Sequence, residues 1–365
     1  MFISLIMRIL IILLFICSFT QAQIVTIPDA NFKYALVNYT CAAFDANLNF
    51  DGDVDTNNDG EIQLSEAEAV YALSVGNNGI QSLEGIAAFS NLHTLLCGDN
   101  PLTALDLTQN QSLVWVNSWD CQLTSVISAN QNLEFLSVSN NQLNTINISE
   151  NPNLKQLNIS LNQFTEIDVS QNYNLEGLGV SENQITSLDV SNNLSLKSLS
   201  CSYNLIANLD LSNNSDLEQL LCKENALESL NLKNQNNLNM IAMDSRFNPN
   251  LFCINVDDED ANLVCTATFP HGWCKDAWAA YSEDCVLSVD DHEENSISLS
   301  PNPVIDVLDV NSVKSIEKIK CYSLDGKLIK QESNSRIDLS ILPKGVYIVI
   351  ISVEGENFVK KIIKN

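Results

Sequence analysis

Leucine recurs along the middle of the chain at Leu92, Leu113, Leu133, Leu154, Leu175, Leu196, Leu217 and Leu238, at intervals of 21 residues with a single interval of 20. Between two of these positions the apolar residues keep fixed places. Leu136 and Val138 lie two apart, so both point to one side of a short strand. A second apolar pair follows in each unit, at Leu105/Leu107, Ile146/Ile148, Ile167/Val169, Leu188/Val190, Leu209/Leu211 and Leu230/Leu232. Each pair flanks an Asp or Asn and is expected to be extended, because 21 residues leave no room for a helix between two such walls. One unit alone cannot bury these side chains. Stacked units can, and their strands then form a parallel sheet lining a curved face. Asp106, Asp168, Asp189 and Asp210 are expected to point outward as a solvated column. The 20-residue unit, Leu113 to Asn132, is expected to lack its outward residue between Val126 and Ile127 and to kink there.

Asn100, Asn141, Asn162, Asn183, Asn204 and Asn225 share one column, with Cys121 in the same slot. An amide placed where the chain turns inward satisfies backbone groups of successive coils that water cannot reach. Cys97, Cys201 and Cys222 fall in the Val138 slot and read as interior residues. The unit Leu133-Glu-Phe-Leu136-Ser-Val138-Ser-Asn-Asn141-Gln-Leu143, L-x-x-L-x-V-x-x-N-x-L, resembles the leucine-rich repeat. The earlier unit Val70, Leu73, Val75, Asn78, Ile80, Leu83, Ile86, Phe89 is similar to internalin-type repeats. Nine starts run from Val70 to Leu238. The resemblance implies a right-handed α/β solenoid dominated by β, with 21–22-residue units over residues 70–252, capped at both ends and offering its concave face to a macromolecule.

Residues 1–22 carry Arg8, a short apolar run and a small-residue exit at Ala22, the pattern of a secretory signal peptide. The run is too short to span a bilayer, and no later stretch is apolar enough to do so. Residues 23–69 are expected to form the N-terminal cap, with an entering helix over Asp29 to Asn38 and an exiting one over Leu64 to Tyr71. Between them, Asp55-Thr-Asn57-Asn-Asp59-Gly60-Glu61-Ile62-Gln63-Leu-Ser-Glu66 resembles the EF-hand loop at each critical place. Asp55, Asn57 and Asp59 would supply side-chain oxygens, Glu61 its carbonyl, and Glu66 two oxygens, around a structural Ca²⁺. Export implies an oxidising environment. Cys253, Cys265, Cys274 and Cys285 therefore read as two disulfides in a C-terminal cap over residues 253–289, with the pairing open; their spacing lacks the C-x-x-C of structural zinc sites.

From residue 290 on, the asparagine columns stop and short β-rich runs begin. Ser300-Pro-Asn-Pro303, Tyr322-Ser-Leu-Asp325-Gly326-Lys327, Asp338-Leu-Ser-Ile-Leu-Pro343-Lys-Gly345-Val-Tyr347 and the closing Lys360-Lys-Ile-Ile-Lys-Asn365 resemble, in that order, the type A C-terminal sorting domain of type IX secretion. The resemblance implies a small β-sandwich recognised by the outer-membrane export machinery through residues 290–365. The protein would then reside outside the cell or on its outer surface.

Composition sharpens this. With 45% hydrophobic residues the chain folds, and its net charge of −27 repels phosphates, so nucleic acid is not an expected partner. Residues 23–289 hold 33 acidic and 7 basic side chains, so the solenoid carries nearly all of that charge. His93, His271 and His292 stand in no catalytic motif, and G-x-S-x-G, H-E-x-x-H and phosphate loops are missing from the sequence, so a non-enzymatic protein is expected. Most outward strand positions carry small polar residues. Leu96, Trp115, Trp119 and Phe135 depart from this and are expected to form an exposed patch for a protein or glycan ligand. Alternatives stay open: the two tryptophans could fill the irregular unit, and the protein could be a structural surface or matrix component without a defined ligand.

Overall fold

A computed structural model describes residues 23–260, 265, 272–285, 297–312, 314–324, 326–354 and 356–365. The expected signal peptide, His271, His292 and the 290–296 linker lie outside the described residues. The chain divides into two compact units, the first ending at Leu133 and the second beginning at Glu134.

In the first unit, helix α1 (Ala30–Asn38) is started by Asp29, whose carboxylate accepts from the Asn31 and Phe32 N–H groups, both at 2.9 Å. Its other oxygen accepts from Gln81 and Ser82, at 2.8 and 3.0 Å, in the first repeat. Burial alone would raise the Asp29 pKa, but these four N–H groups outweigh it and hold the carboxyl below its ordinary value. One side chain thus caps a helix and ties it to the solenoid. Phe32, Ala35 and Leu36 are buried beneath. Strand Ala42–Ala43 closes the sheet edge antiparallel to Ala72–Ser74. Parallel neighbours follow in register: Ala72–Ser74, Thr94–Leu96 and Trp115–Asn117. Opposite them, Ala104–Asp106 pairs with Ser125–Ile127.

The second unit continues the pattern with seven parallel strands: Phe135–Ser137, Gln156–Asn158, Gly177–Gly179, Ser198–Ser200, Gln219–Leu221, Ala242–Asp244 and Gly272–Cys274. Its opposite wall is Asn208–Asp210, Ser229–Asn231, Cys253–Asn255 and Ala280–Ser282. The molecule is thus a β-dominated solenoid. Residues from Ser298 onward form two antiparallel sheets of three and four strands.

Two asparagine ladders hold the coils. The column expected from sequence behaves as argued: Asn183 Nδ2 donates to Ile159 O and Val180 O at 3.1 and 3.0 Å, while its Oδ1 accepts from Phe164 N at 3.0 Å. The residue before each ladder position, Cys121 included, turns left-handed, with φ from 53° to 62° at Asn77, Asp99, Asp120, Asn140, Leu161, Glu182, Tyr203, Glu224 and Phe247. Leu161 and Tyr203 gain nothing intrinsically from that conformation, and Asp120 keeps it ahead of Cys121, so the turn belongs to the path of the coil and not to the amide bonds alone. The second column, Asn110, Asn130, Asn151, Asn172, Asn193, Asn214 and Asn234, is buried on the far side of each coil. Asn172, for example, donates to Ile148 O and Asn151 O at 3.0 and 2.9 Å.

Cys121 breaks the first ladder. Its thiol reaches Cys97 O at 3.7 Å and Trp119 O at 3.6 Å, longer than the amide bonds elsewhere, and Leu102 N donates to Asn100 O at 2.8 Å. Cys121→Asn should restore the ladder and raise unfolding stability by about 1 kcal/mol. A urea melt that shows loss of stability instead would contradict the ladder's role here.

The short unit differs from expectation. Ser125–Ile127 lies in register with Ala104–Asp106, so Ile127 occupies the outward place opposite Asp106 and is 55% exposed, and Ser128 takes the inner one. The missing residue lies in the turn between Ser128 and Asn130. The chain shortens there because a turn absorbs a deletion, whereas a strand would lose its register.

Candidate functional site

On the strand-lined face of the first unit, side chains that alternate with the buried leucines project outward. Thr94 pairs with Trp115 and Leu96 with Asn117. One place further, Trp119 lies over Gly98: a Cβ on that glycine would come within 2.7 Å of Trp119 Cδ1 and 2.9 Å of Nε1. Gly98 therefore makes the seat in which one edge of the indole rests on backbone. Trp115 and Trp119 remain 43% and 47% exposed, and Leu96 is half-buried. Tyr71 and His93, which carried no motif in the sequence, extend this face. Their rings stack at 4.2 Å and 11°, and His93 Nδ1 lies 2.7 Å from Asn91 O. No spacing marks them in the sequence: each stands directly before the first residue of a strand, Ala72 and Thr94, a place that other residue types fill in later coils.

Phe135 belongs to the second unit, half-buried at the first outward place of that unit's face. It is followed in register by Gln156, Gly177, Ser198 and Gln219. Gly177 leaves room for the Gln156 side chain, whose Oε1 would lie 2.0 Å from an added Cβ. At the margin, Glu134 pairs with Lys155 and Glu176 with Lys197, each at 2.9 Å. This alternation of charge at the repeat period escaped the sequence reading. The pairs are largely solvent-exposed and contribute little to stability.

The loop from Asp55 to Glu66 is built by side chains that accept from its own backbone. Asp55 accepts from Asp59 N and Gly60 N at 3.1 and 2.8 Å, Asn57 Oδ1 from Asp59 N at 2.9 Å, and Asp59 from Glu61 N at 2.9 Å. Gly60 has φ +84°, which a side chain would strain. Glu66 closes the loop from helix α2 (Leu64–Ala69), accepting from Thr56 Oγ1, Asn57 N and Gln63 N. The exiting helix thus stops two residues earlier than expected. Glu61 directs its carboxylate to Lys33 at 2.7 Å, away from the loop. Gln63 Nε2 lies 3.1 and 2.9 Å from the two Asp59 oxygens. The Asp59 carboxyl is held below its ordinary pKa, first by Glu61 N–H and then by the Gln63 amide. Among the described residues, as placed, no three Asp, Glu, His or Cys side chains converge to hold an ion.

The thiols of the repeats are chemically quiet. Burial pushes Cys97 and Cys201 up to about 12 and Cys222 well above its ordinary value, so they stay protonated and are poor nucleophiles. The four cap cysteines pair as Cys253–Cys285 and Cys265–Cys274, resolving a connectivity that spacing left open. Beside them Asp276 accepts from Phe247 N and Asn248 N at 3.0 and 2.9 Å, ending the ladder. Burial raises its pKa, and those two bonds only partly offset the rise.

Residues 298–365 match the family described as secretion system C-terminal sorting domain. Among solved structures, the chain is similar to the functional domain of InlJ from Listeria monocytogenes, which includes a cysteine ladder. Identity is 29% with a TM-score of 0.52, covering 63% of this chain and 50% of that one. The chain therefore spans about half the length of that domain. Two more distant structures are internalin C2 of Listeria monocytogenes (21% identity, 66% of this chain and 99% of that one, TM-score 0.44) and the leucine-rich-repeat protein LIC12759 of Leptospira interrogans (21%, 53% and 57%, TM-score 0.46). No curated protein matches the chain. No helix among the described residues is long and apolar enough to cross a membrane.

Proposed function

We propose that this chain, a leucine-rich-repeat solenoid followed by a secretion-system sorting domain, is an exported, non-enzymatic adhesion-type protein that binds a macromolecular ligand, protein or glycan. In this reading residues 290–365 are recognised by the type IX outer-membrane machinery, and the solenoid works outside the cell or on its outer surface. The observation that carries the proposal is the aromatic face of the first unit. Trp115 and Trp119 hold large apolar rings in water, on a unit whose neighbouring outward strand positions include the small polar Ser74, Thr94 and Asn117 as well as Leu96. Exposed rings fixed on rigid strands lose little entropy on binding, which suits a protein hot spot or a sugar-stacking platform. Phe135, at the start of the second unit, is the fourth candidate contact. Residues 23–289, displayed to glycan and protein arrays, are expected to bind saturably. Failure to bind any cell, protein or glycan would favour the alternative, a structural surface component without a defined ligand.

The Asp55–Glu66 loop supports a second reading for the N-terminal cap, a structural Ca²⁺ site. The side-chain oxygens of Asp55, Asn57 and Asp59 are already ordered by their bonds to successive N–H groups, and Glu66 closes the loop through Thr56, Asn57 and Gln63. Rotation of the Gln63 amide off Asp59 would free that carboxylate. A lone extracellular loop of this kind binds with a dissociation constant on the order of 10⁻⁴ to 10⁻³ M. At about 2 mM calcium that adds about 1–2 kcal/mol. Chelation is therefore expected to lower Tm by a few degrees, with no large change in secondary structure. Asp55→Ala should remove the difference between calcium-loaded and chelated samples. Equal Tm with and without chelator in the unsubstituted protein would end the proposal, and a large change in circular dichroism would point to a switch instead of a clamp.

A further inference from the structure

Two consecutive places precede each position of the first ladder. In the second unit they hold a ring and a cation in adjacent coils. Tyr203 stands one residue before Asn204 and Lys223 two before Asn225, and the Lys223 Nζ lies 4.9 Å from the centre of the Tyr203 ring. That contact measures the reach of the two places: a side chain at the one meets a side chain at the other in the next coil.

In the first unit the equivalent pair is Asp99, one residue before Asn100, and Trp119, two before Cys121. Asp99 N donates to Trp119 O at 2.8 Å, and the indole lies back over Gly98, the neighbour of Asp99 in the chain. Both side chains are exposed. A carboxylate and an indole thus stand where the second unit has a ring and a cation, so a cation set on the Trp119 face is within reach of Asp99. Asp120, exposed beside Trp119, adds a further negative charge. The unit has no cation of its own to give. Residues 23–133 contain 13 acidic side chains and a single lysine or arginine, Lys33, whose ammonium lies 2.7 Å from Glu61. Its histidine, His93, stacks on Tyr71.

We propose that Trp119 and Asp99 form a subsite for one lysine or arginine side chain of a protein ligand, with the charged head on the indole face and Asp99 as its counter-ion. The proposal rests on the reading of the aromatic face as the ligand site and narrows its ligand to a basic polypeptide segment. Attraction between cation and ring, exposed and backed by a carboxylate, selects such a head group over a neutral one. A neutral sugar draws nothing from the charge of the unit, and an acidic one is repelled by it.

The test uses the full chain and a dye-labelled Gly-Ser peptide with one central arginine. The same peptide with citrulline keeps the shape of that side chain and loses its charge. Anisotropy gives the affinity, and the Nε1–H resonance of Trp119 locates the contact. The arginine peptide is expected to bind saturably and move that resonance, and the citrulline peptide to do neither at the same concentration. Trp119→Leu should weaken binding about two- to fivefold. Asp99→Asn should do likewise at low salt and flatten the salt dependence; it folds without strain, because Asn77 and Asn140 fill the same left-handed place with φ 56° and 54°. Asp106→Asn removes one charge from the outer wall of the same unit and should change affinity less than about twofold. Equal binding of the two peptides, or equal losses in Asp99→Asn and Asp106→Asn, would overturn the subsite. A Trp119 resonance unmoved by arginine, with array-ligand affinity still lost in Trp115→Ser/Trp119→Ser, would keep the aromatic face and overturn its basic ligand. The reverse pair of results would support the subsite and remove the face as the site of the array ligand.

Discussion

Asn204→Ala should lower unfolding stability by about 3–5 kcal/mol, although the side chain touches no ligand site. Its Nδ2 donates to Val180 O at 2.9 Å, one coil back, and to Cys201 O and Ser202 O at 3.1 and 3.3 Å; its Oδ1 accepts from Ile185 N at 2.9 Å. Alanine leaves the Ile185 N–H and at least one carbonyl buried without partners, and each such group costs about 1–3 kcal/mol. The empty volume adds to this. Asn204→Asp should also destabilise, because it replaces a donor with an anion facing three carbonyl oxygens. Asn192, on the surface with one 3.5 Å bond, is the control, and its alanine variant should stay within about 0.5 kcal/mol. Urea melts of the three variants check the expectation. A loss for Asn204→Ala no larger than the control's would mean that the ladder does not hold the coils.

Removing the Cys253–Cys285 disulfide with paired serines should cost about 4 kcal/mol. The bridge spans 32 residues and the Cys265–Cys274 bridge only 9, and on the chain-entropy account the longer loop gains about 1 kcal/mol more than the shorter. The effect should also be local. Strand Cys253–Asn255 pairs with Ala280–Ser282 at the end of the outer wall, so hydrogen exchange should rise first there and in Ala242–Asp244, as a solenoid loses its cap before its middle. Equal destabilisation by the two serine pairs would argue against the loop-entropy explanation.

Much of this architecture was legible because periodicity is redundant. Leu136 and Val138 recur in every coil, so a short window shows which side is buried, and the first asparagine column follows from where the chain turns. The second column was not legible. Asn172 and Asn193 stand in polar Gln-Asn and Asn-Asn runs that read as surface turns, and only the return of the preceding coil buries them. Ile127 was misplaced for a related reason: an apolar residue was assigned to the inner wall by type, whereas strand register put it in the outward place. The covered outer face of the sorting domain's four-stranded sheet was partly visible. Val346 to Ile351 is an unbroken apolar run, the pattern of a strand buried on both sides, but the identity of the covering residue, Trp278, depends on tertiary packing. For the candidate ligand face, exposure of Trp115 and Trp119 followed from alternation. The Gly98 seat and the Tyr71–His93 stack required coordinates, since neither has a spacing that distinguishes it from neighbouring repeats.

The most direct test of ligand binding by the first unit's aromatic face is a binding titration that compares the unsubstituted solenoid, residues 23–289, with Trp115→Ser/Trp119→Ser. The ligand would be whichever glycan or protein it retains best on an array. Both rings are about half exposed, so Tm should change little, whereas the loss of two aromatic anchors should weaken binding by about 100-fold or more. Unchanged affinity in a folded double variant would contradict the assignment of this face as the binding site.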